Sequence, residues 1–283
     1  MARSTPDSAP RISFEYFPPK TPAGRDKLLQ ETTPALQALN PAFFSVTYGA
    51  GGSTRENTLG VASAIREAGI EVAPHLSFGG DDEAAIGALL DTYRERGIRR
   101  LVALRGDMPS GMGGTTQLVY ASQLVAFIRQ RSGDHFRIEV AAYPEIHPEA
   151  KSYDSDLKYL KAKLDAGADS AITQYFFNVE SYFYFLDQCA AIGIDKPVYA
   201  GVMPIINFAN LARFSRNCGA EIPRWICQRV AGYGDDQESI RKFGIDVVTQ
   251  LCQTLLESGA AGIHFYTMNQ VEPTREIYRN LGL

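Results

Sequence analysis

A single carboxylate in an apolar strand, and polar side chains placed where other apolar runs stop, are the residues of this chain with chemistry to offer. The run Ile12-Ser13-Phe14-Glu15-Tyr16-Phe17-Pro18-Pro19-Lys20 has the pattern of a strand halted by prolines. Proline cannot donate to a sheet ladder, so Glu15 falls near the carboxyl end. A carboxyl desolvated among Phe14, Tyr16 and Phe17 has a raised pKa and holds a proton at neutral pH. The plain alternative is a salt-bridged Glu at a strand end. Other apolar runs stop at Thr47-Tyr48-Gly49, His75, Arg105-Gly106-Asp107, Tyr143-Pro144-Glu145-Ile146-His147, Gln174 and Tyr266-Thr267-Met268-Asn269. Two carboxylates, an Arg, two His, an amide and several aromatics suit a planar, polar, partly anionic ligand together with proton transfer. The histidines form no H-x-H or H-E-x-x-H pair, the strand-like runs contain no Lys, and G-x-S-x-G is missing. Metal hydrolysis, Schiff-base chemistry and a serine nucleophile are therefore poorly supported, and a cofactor is expected to carry the hard chemistry.

Strand and helix signals alternate along the chain. Short apolar runs rich in β-branched and aromatic residues occupy 12–17, 43–48, 72–77, 101–105, 138–143, 171–176, 198–203 and 262–266. Helical patterns lie between them. One covers 56–67, before Gly69; the next is opened by Asp81-Asp82 and runs to Arg96, before Gly97. Others cover 154–164 and 179–191, and 223–258 is long enough for more than one helix. Eight such units in about 250 residues predict a single (β/α)8 TIM barrel in the α/β class, a parallel eight-stranded catalytic domain over 12–283 behind a flexible tail over 1–11. A doubly wound open sheet is the alternative, but neither G-x-G-x-x-G nor G-x-x-x-x-G-K-[ST] is present. A barrel also requires catalytic groups at the carboxyl ends of several strands, where the polar residues above fall.

A net charge of -4 gives no basic surface for nucleic acid or anionic lipid, and no apolar run approaches a membrane span. The small, polar first ten residues lack the apolar core of a signal peptide, which points to the cytoplasm. Cys189, Cys218, Cys227 and Cys252 form no C-x-x-C pair, and Cys189 and Cys252 fall in helical patterns as buried thiols.

The blocks Ser13-Phe14-Glu15-Tyr16-Phe17-Pro18-Pro19-Lys20, Ser45-Val46-Thr47-Tyr48-Gly49-Ala50-Gly51-Gly52-Ser53, Ala73-Pro74-His75-Leu76 and Ala103-Leu104-Arg105-Gly106-Asp107 resemble the methylenetetrahydrofolate reductase family in its short bacterial form. So do the segments from Ala141 to Ala150, from Ile172 to Phe177 and from His264 to Asn269, in the family's order. The resemblance implies a barrel that binds FAD and passes a hydride from NADH or NADPH to 5,10-methylenetetrahydrofolate, giving 5-methyltetrahydrofolate. It makes Glu15 the general acid that opens the imidazolidine ring. It sets Asp107 beside the flavin and the pterin, where a carboxylate lowers the flavin potential and steadies a cationic iminium. It gives FAD to Thr47, Tyr48, Ala50, His75, Arg105, Gly106, Asp107, Tyr120, Ala121, Tyr143, His147, Ala150, Asp156 and Lys163. Folate contacts fall to Glu15, Thr47, Asp107, Gln174, Phe214 and Gln270, with Gln174 also meeting the nicotinamide. Asp156, Tyr159 and Lys163 share one helix face by spacing, and Lys163 offers that face a positive charge.

Where the family often has an Arg after its Tyr-Thr-x-Asn block, this chain has Gln270, so Arg275 or Arg279 is expected to replace it. The regulatory domain of longer eukaryotic members, and inhibition by adenosylmethionine, are not expected. A homo-oligomer is expected from the family. Two other readings stand beside this one: an FAD barrel of the proline dehydrogenase kind, and a non-catalytic flavin- or folate-binding protein.

Overall fold

The computed structural model describes residues 10–48, 55–78, 82–105 and 120–283. Ile12, Phe14 and Tyr16 alternate with Ser13 and Glu15, so one face of this strand is apolar and the other polar. The apolar face meets the helix layer, where Phe14 and Tyr16 both pack on Phe44. The same alternation, repeated, produces a closed parallel barrel in the order β1-β2-β3-β4-β5-β6-β7-β8. The strands are β1 (Arg11–Tyr16), β2 (Phe43–Val46), β3 (Val72–Leu76), β4 (Arg100–Ala103), β5 (Arg137–Ala142), β6 (Ser170–Thr173), β7 (Val198–Val202) and β8 (Gly262–Tyr266). β1 pairs with β8, which closes the ring and leaves no edge. All eight lie where the sequence places them. Several stop earlier at their carboxyl ends, because those residues leave the ladder to form the rim.

Helices cover the outside: α1 (Pro22–Lys27), α2 (Thr33–Gln37), α3 (Arg55–Glu67), α4 (Glu83–Glu95), α5 (Ala121–Ser132) and α6 (Tyr153–Asp165). They continue with α7 (Val179–Ala191), α8 (Phe208–Cys218), α9 (Arg224–Tyr233), α10 (Gln237–Glu257) and α11 (Thr274–Asn280). The stretch 223–258 does hold two helices. A π-turn at Leu28–Thr32 joins α1 to α2 and precedes Pro34, which has no N–H to offer the helix. Side-chain caps fix the rim ends of several helices: Asp82 accepts from Ala85 N, Ser152 from Ser155 N, and Asn207 from Asn210 N.

Inside the barrel, Phe43, Ala73, Val102, Ile172 and Tyr199 form an apolar layer. Toward the amino-terminal mouth Arg100 lies 4.5 Å over the Phe43 ring and pairs with Glu139, which also takes the Ser170 hydroxyl. In barrels of this kind, ionic residues at that mouth are read as stabilising, and polar residues above the apolar layer lie where a site can be built. Cys189 and Cys252 are buried free thiols, as expected.

Candidate functional site

Glu15 points into the barrel near its carboxyl-terminal mouth, and only 7% of its surface is exposed. Its Oε2 lies 3.1 Å from His75 Nε2 and 3.3 Å from His264 Nε2. The Ser45 hydroxyl donates to the same oxygen at 3.1 Å. His264 Nδ1 lies 2.7 Å from Ser13 Oγ. Strand register explains the cluster: Ser45 is directly opposite Glu15 on β2, and His264 opposite Ser13 on β8. Burial pushes the Glu15 carboxyl up, but the charges and hydrogen bonds of His75 and His264 outweigh it and hold it at about 2. This corrects the expectation of a raised value. Phe14 and Tyr16 are not its walls, because alternation turns them to the opposite face of the sheet.

Around this centre stands a rim of aromatic and charged groups. Tyr143 and His147 meet edge to face, with ring centroids 4.6 Å apart. His147 N donates to Asp156 Oδ2 at 2.8 Å, and burial pushes its imidazole pKa down. Tyr120 precedes α5 and stacks on Tyr159 of α6 at 5.5 Å, both rings exposed. Arg105 pairs with Glu149 at 2.6 Å. Lys163 is half-buried and donates to the Ala141 carbonyl on β5, and burial pushes its ammonium down to about 8. Across the mouth, a shallow cleft with room for little more than one water is lined by Tyr143, Glu145, Gln174, Tyr175 and Cys218.

A family model described as methylenetetrahydrofolate reductase matches residues 1–282. The chain belongs to that family. A relative in Escherichia coli named 5,10-methylenetetrahydrofolate reductase is 40% identical over 273 residues, covering 96% of this chain and 90% of its own length. The Zea mays methylenetetrahydrofolate reductase (NADH) 1 is 37% identical, and this chain spans 49% of that longer protein. Among solved structures, a Clostridium thermocellum protein described as binding two copies of 5-methyl-5,6,7,8-tetrahydrofolic acid shares the fold, at a TM-score of 0.68 and 17% identity over 96% of this chain and 93% of that one.

The described residues among those expected from the resemblance separate into three groups. Glu15 and His75 meet at the centre, so His75 faces a carboxylate rather than open rim. Thr47, Tyr48, Arg105, Tyr120, Ala121, Tyr143, His147, Ala150, Asp156 and Lys163 follow strand ends or line the flanking α5 and α6. Gln174 lines the cleft, Phe214 is half-buried on α8, and Gln270 is exposed beyond β8. Arg275, offered as a replacement for the missing Arg, is engaged by Glu272. Ala50, Gly106 and Asp107 lie outside the described residues. Sequence reasoning did not assign Ser13, Ser45 or His264 to the site. The signal was there in the alternation: polar side chains occupy inward positions on β1, β2 and β8, where a filled barrel usually carries apolar ones.

Among the described residues no His, Cys, Asp and Glu cluster could hold a metal ion, and no helix is long and apolar enough to cross a membrane.

Proposed function

We propose that this enzyme passes a hydride from NADH or NADPH, by way of FAD at the barrel mouth, to 5,10-methylenetetrahydrofolate, giving 5-methyltetrahydrofolate for one-carbon metabolism and methionine synthesis. The observation that carries this reading is the buried Glu15 carboxylate among His75, His264 and Ser45 at the mouth, in a chain of a family named for that reduction. The rim suits FAD by its donor set. The exposed Tyr120–Tyr159 pair offers an aromatic face, and Arg105 and Lys163 offer cations for a pyrophosphate. FAD, when bound, supplies two-step hydride transfer, which no protein side chain can.

As the general acid for the ring nitrogen released when the imidazolidine opens, Glu15 must take up a proton on substrate binding, because its carboxyl is held ionised in the free protein. His75 and His264 face the same carboxylate oxygen and are the adjacent groups able to return that proton. Gln174 orients the nicotinamide and pterin edges, and Phe214 covers the substrate. Thr47 contributes on the folate side, Gln270 toward the glutamate tail, and Asp107 beside the flavin. The same constellation can run in reverse if 5-methyltetrahydrofolate is supplied. The protein acts in the cytoplasm as a homo-oligomer.

The purified protein is expected to be yellow, to bleach anaerobically with NADH or NADPH, and to recolour with 5,10-methylenetetrahydrofolate. Recolouring by a proline-derived imine instead would favour the proline dehydrogenase reading. Bleaching without recolouring by the folate would leave the folate reduction unsupported.

Lys163 makes FAD binding pH-dependent. Its ammonium pKa is held down to about 8 by burial, so it loses its proton and charge as pH rises through that value, whereas a bound anion would hold the proton on. FAD affinity is therefore expected to fall as pH rises past about 8, by several-fold per unit. Fluorescence titrations on either side of that value measure it. Lys163→Met should bind FAD weakly and with a flat profile; an unchanged slope in that variant would remove Lys163 from the cofactor site.

A further inference from the structure

We infer that Glu145 is a positioning residue: it ties the loop after β5 to the end of α8 and so sets how far that helix stands from Gln174 across the cleft. This rests on the proposed function and assigns a task to a residue which that reading leaves idle.

Glu145 Oε2 accepts a hydrogen bond from the Glu221 backbone N–H at 2.8 Å, across 76 residues of chain. Its Oε1 is buried with no hydrogen-bond partner. A surface glutamate with a passing contact would keep both oxygens in water, so the carboxyl is held where it is by the packing around it. Burial pushes its pKa up and the Glu221 charge adds to the rise, against the hydrogen bond from the Glu221 amide.

The contact beside it is equally close. Ile146 adopts φ +70, which an isoleucine rarely does, and Gly219 ends α8 at φ +77. A Cβ on Gly219 would stand 3.0 Å from Pro148 and 3.7 Å from the Ile146 carbonyl, so the loop and the helix end lie against each other. On its other side α8 is held by the Tyr175 hydroxyl, 3.0 Å from Ser215 Oγ. The helix is thus gripped from β5 by Glu145 and from β6 by Tyr175. Between the two grips lies the cleft, with Gln174 on one wall and Cys218, Gly219 and Ala220 on the other. Phe214 rides on the same helix. A shift of α8 on the order of 1 Å changes the width of the cleft, and binding sites are sensitive to displacements of that size.

Glu145→Ala removes the grip, and Glu145→Gln retains it, because the amide oxygen can accept from Glu221 N. In Glu145→Ala the KM for 5,10-methylenetetrahydrofolate should rise about tenfold with kcat within about twofold. Flavin reduction by NADH or NADPH should be affected less than folate turnover, because Phe214 on α8 is assigned to the folate alone whereas Gln174 meets both substrates, and amide exchange over 218–221 should quicken. Glu145→Gln should restore both the KM and the exchange protection. A folded Glu145→Ala protein with unchanged KM and unchanged exchange overturns the inference. So does an equal fall in both half-reactions, or a Gln variant that behaves like Ala. If the wild-type protein fails to turn over the folate, the functional reading falls, and amide exchange over 218–221 in the two variants still decides whether Glu145 holds α8.

Discussion

Glu15→Gln is expected to yield a protein that binds FAD and is bleached by NADH or NADPH at close to the wild-type rate, yet reoxidises with the folate about 10²–10⁴-fold more slowly, the usual contribution of a positioned acid. The side chains match in size, and the amide oxygen can still accept from the Ser45 hydroxyl that now meets Oε2. Transfer of a hydride from nicotinamide to flavin needs no proton at this position, whereas release of a folate nitrogen does. The two half-reactions should therefore separate in stopped-flow measurements of flavin absorbance. If both fall together, Glu15 shapes the site as a whole; if neither falls, it is only the ion-pair partner of His75 and His264. Acid titration gives an independent reading. Glu15 stays ionised down to about 2 in the fold, against 4.5 for an ordinary glutamate. Its ionisation thus contributes stability that is fully present above about 4.5 and is lost as pH falls toward about 2. The Gln variant should lose that part of the acid sensitivity.

The barrel was legible because all eight strands are written as alternation or an apolar run, and helical stripes stand between several of them; the helices at Ala121–Ser132, Phe208–Cys218 and Thr274–Asn280 were not named from the sequence. The helical run from α1 to α2 was not, since Pro34 interrupts its pattern and a π-helical turn rather than a regular one joins its halves. The position of Glu15 at the mouth was legible from Pro18-Pro19, but its neighbours were not. Ser45 and His264 reach it only through lateral register, and His264 is 249 residues away in sequence. Reasoning from sequence neighbours chose Phe14 and Tyr16 as the wall and therefore gave the carboxyl pKa the wrong direction. A similar limit applies on α6. The shared face of Asp156, Tyr159 and Lys163 follows from spacing, but the inward turn of Lys163 to the Ala141 carbonyl depends on how closely β5 lies beneath the helix.

Gly201→Ala is expected to prevent proper closure of the barrel. A Cβ built on Gly201 would stand 2.0 Å from the Thr173 carbonyl oxygen and 2.8 Å from the Tyr266 ring. Neither obstacle is free to move. The Thr173 carbonyl accepts from the Tyr266 hydroxyl at 2.7 Å, and the Thr173 hydroxyl accepts from Gly201 N at 2.8 Å. Tyr266 therefore lies across β7 and fastens β8 to β6, and the absence of a side chain at Gly201 leaves the space for it. Ordinary overpacking costs about 1–3 kcal/mol; a clash with backbone at this distance should exceed that range and lower Tm by more than about 6 °C, or leave no folded protein. Gly232→Ala supplies the control. Gly232 lies within α9 with nothing near its added Cβ, so alanine there should be neutral or stabilise by about 0.5–1 kcal/mol. Because Tyr266 shares its strand with His264, partial opening at Gly201 should also disturb the Glu15 cluster. Thermal melts of the two alanine variants test the clash directly: equal Tm values would show that β6, β7 and β8 have room to spare, and that Tyr266 does not fasten them.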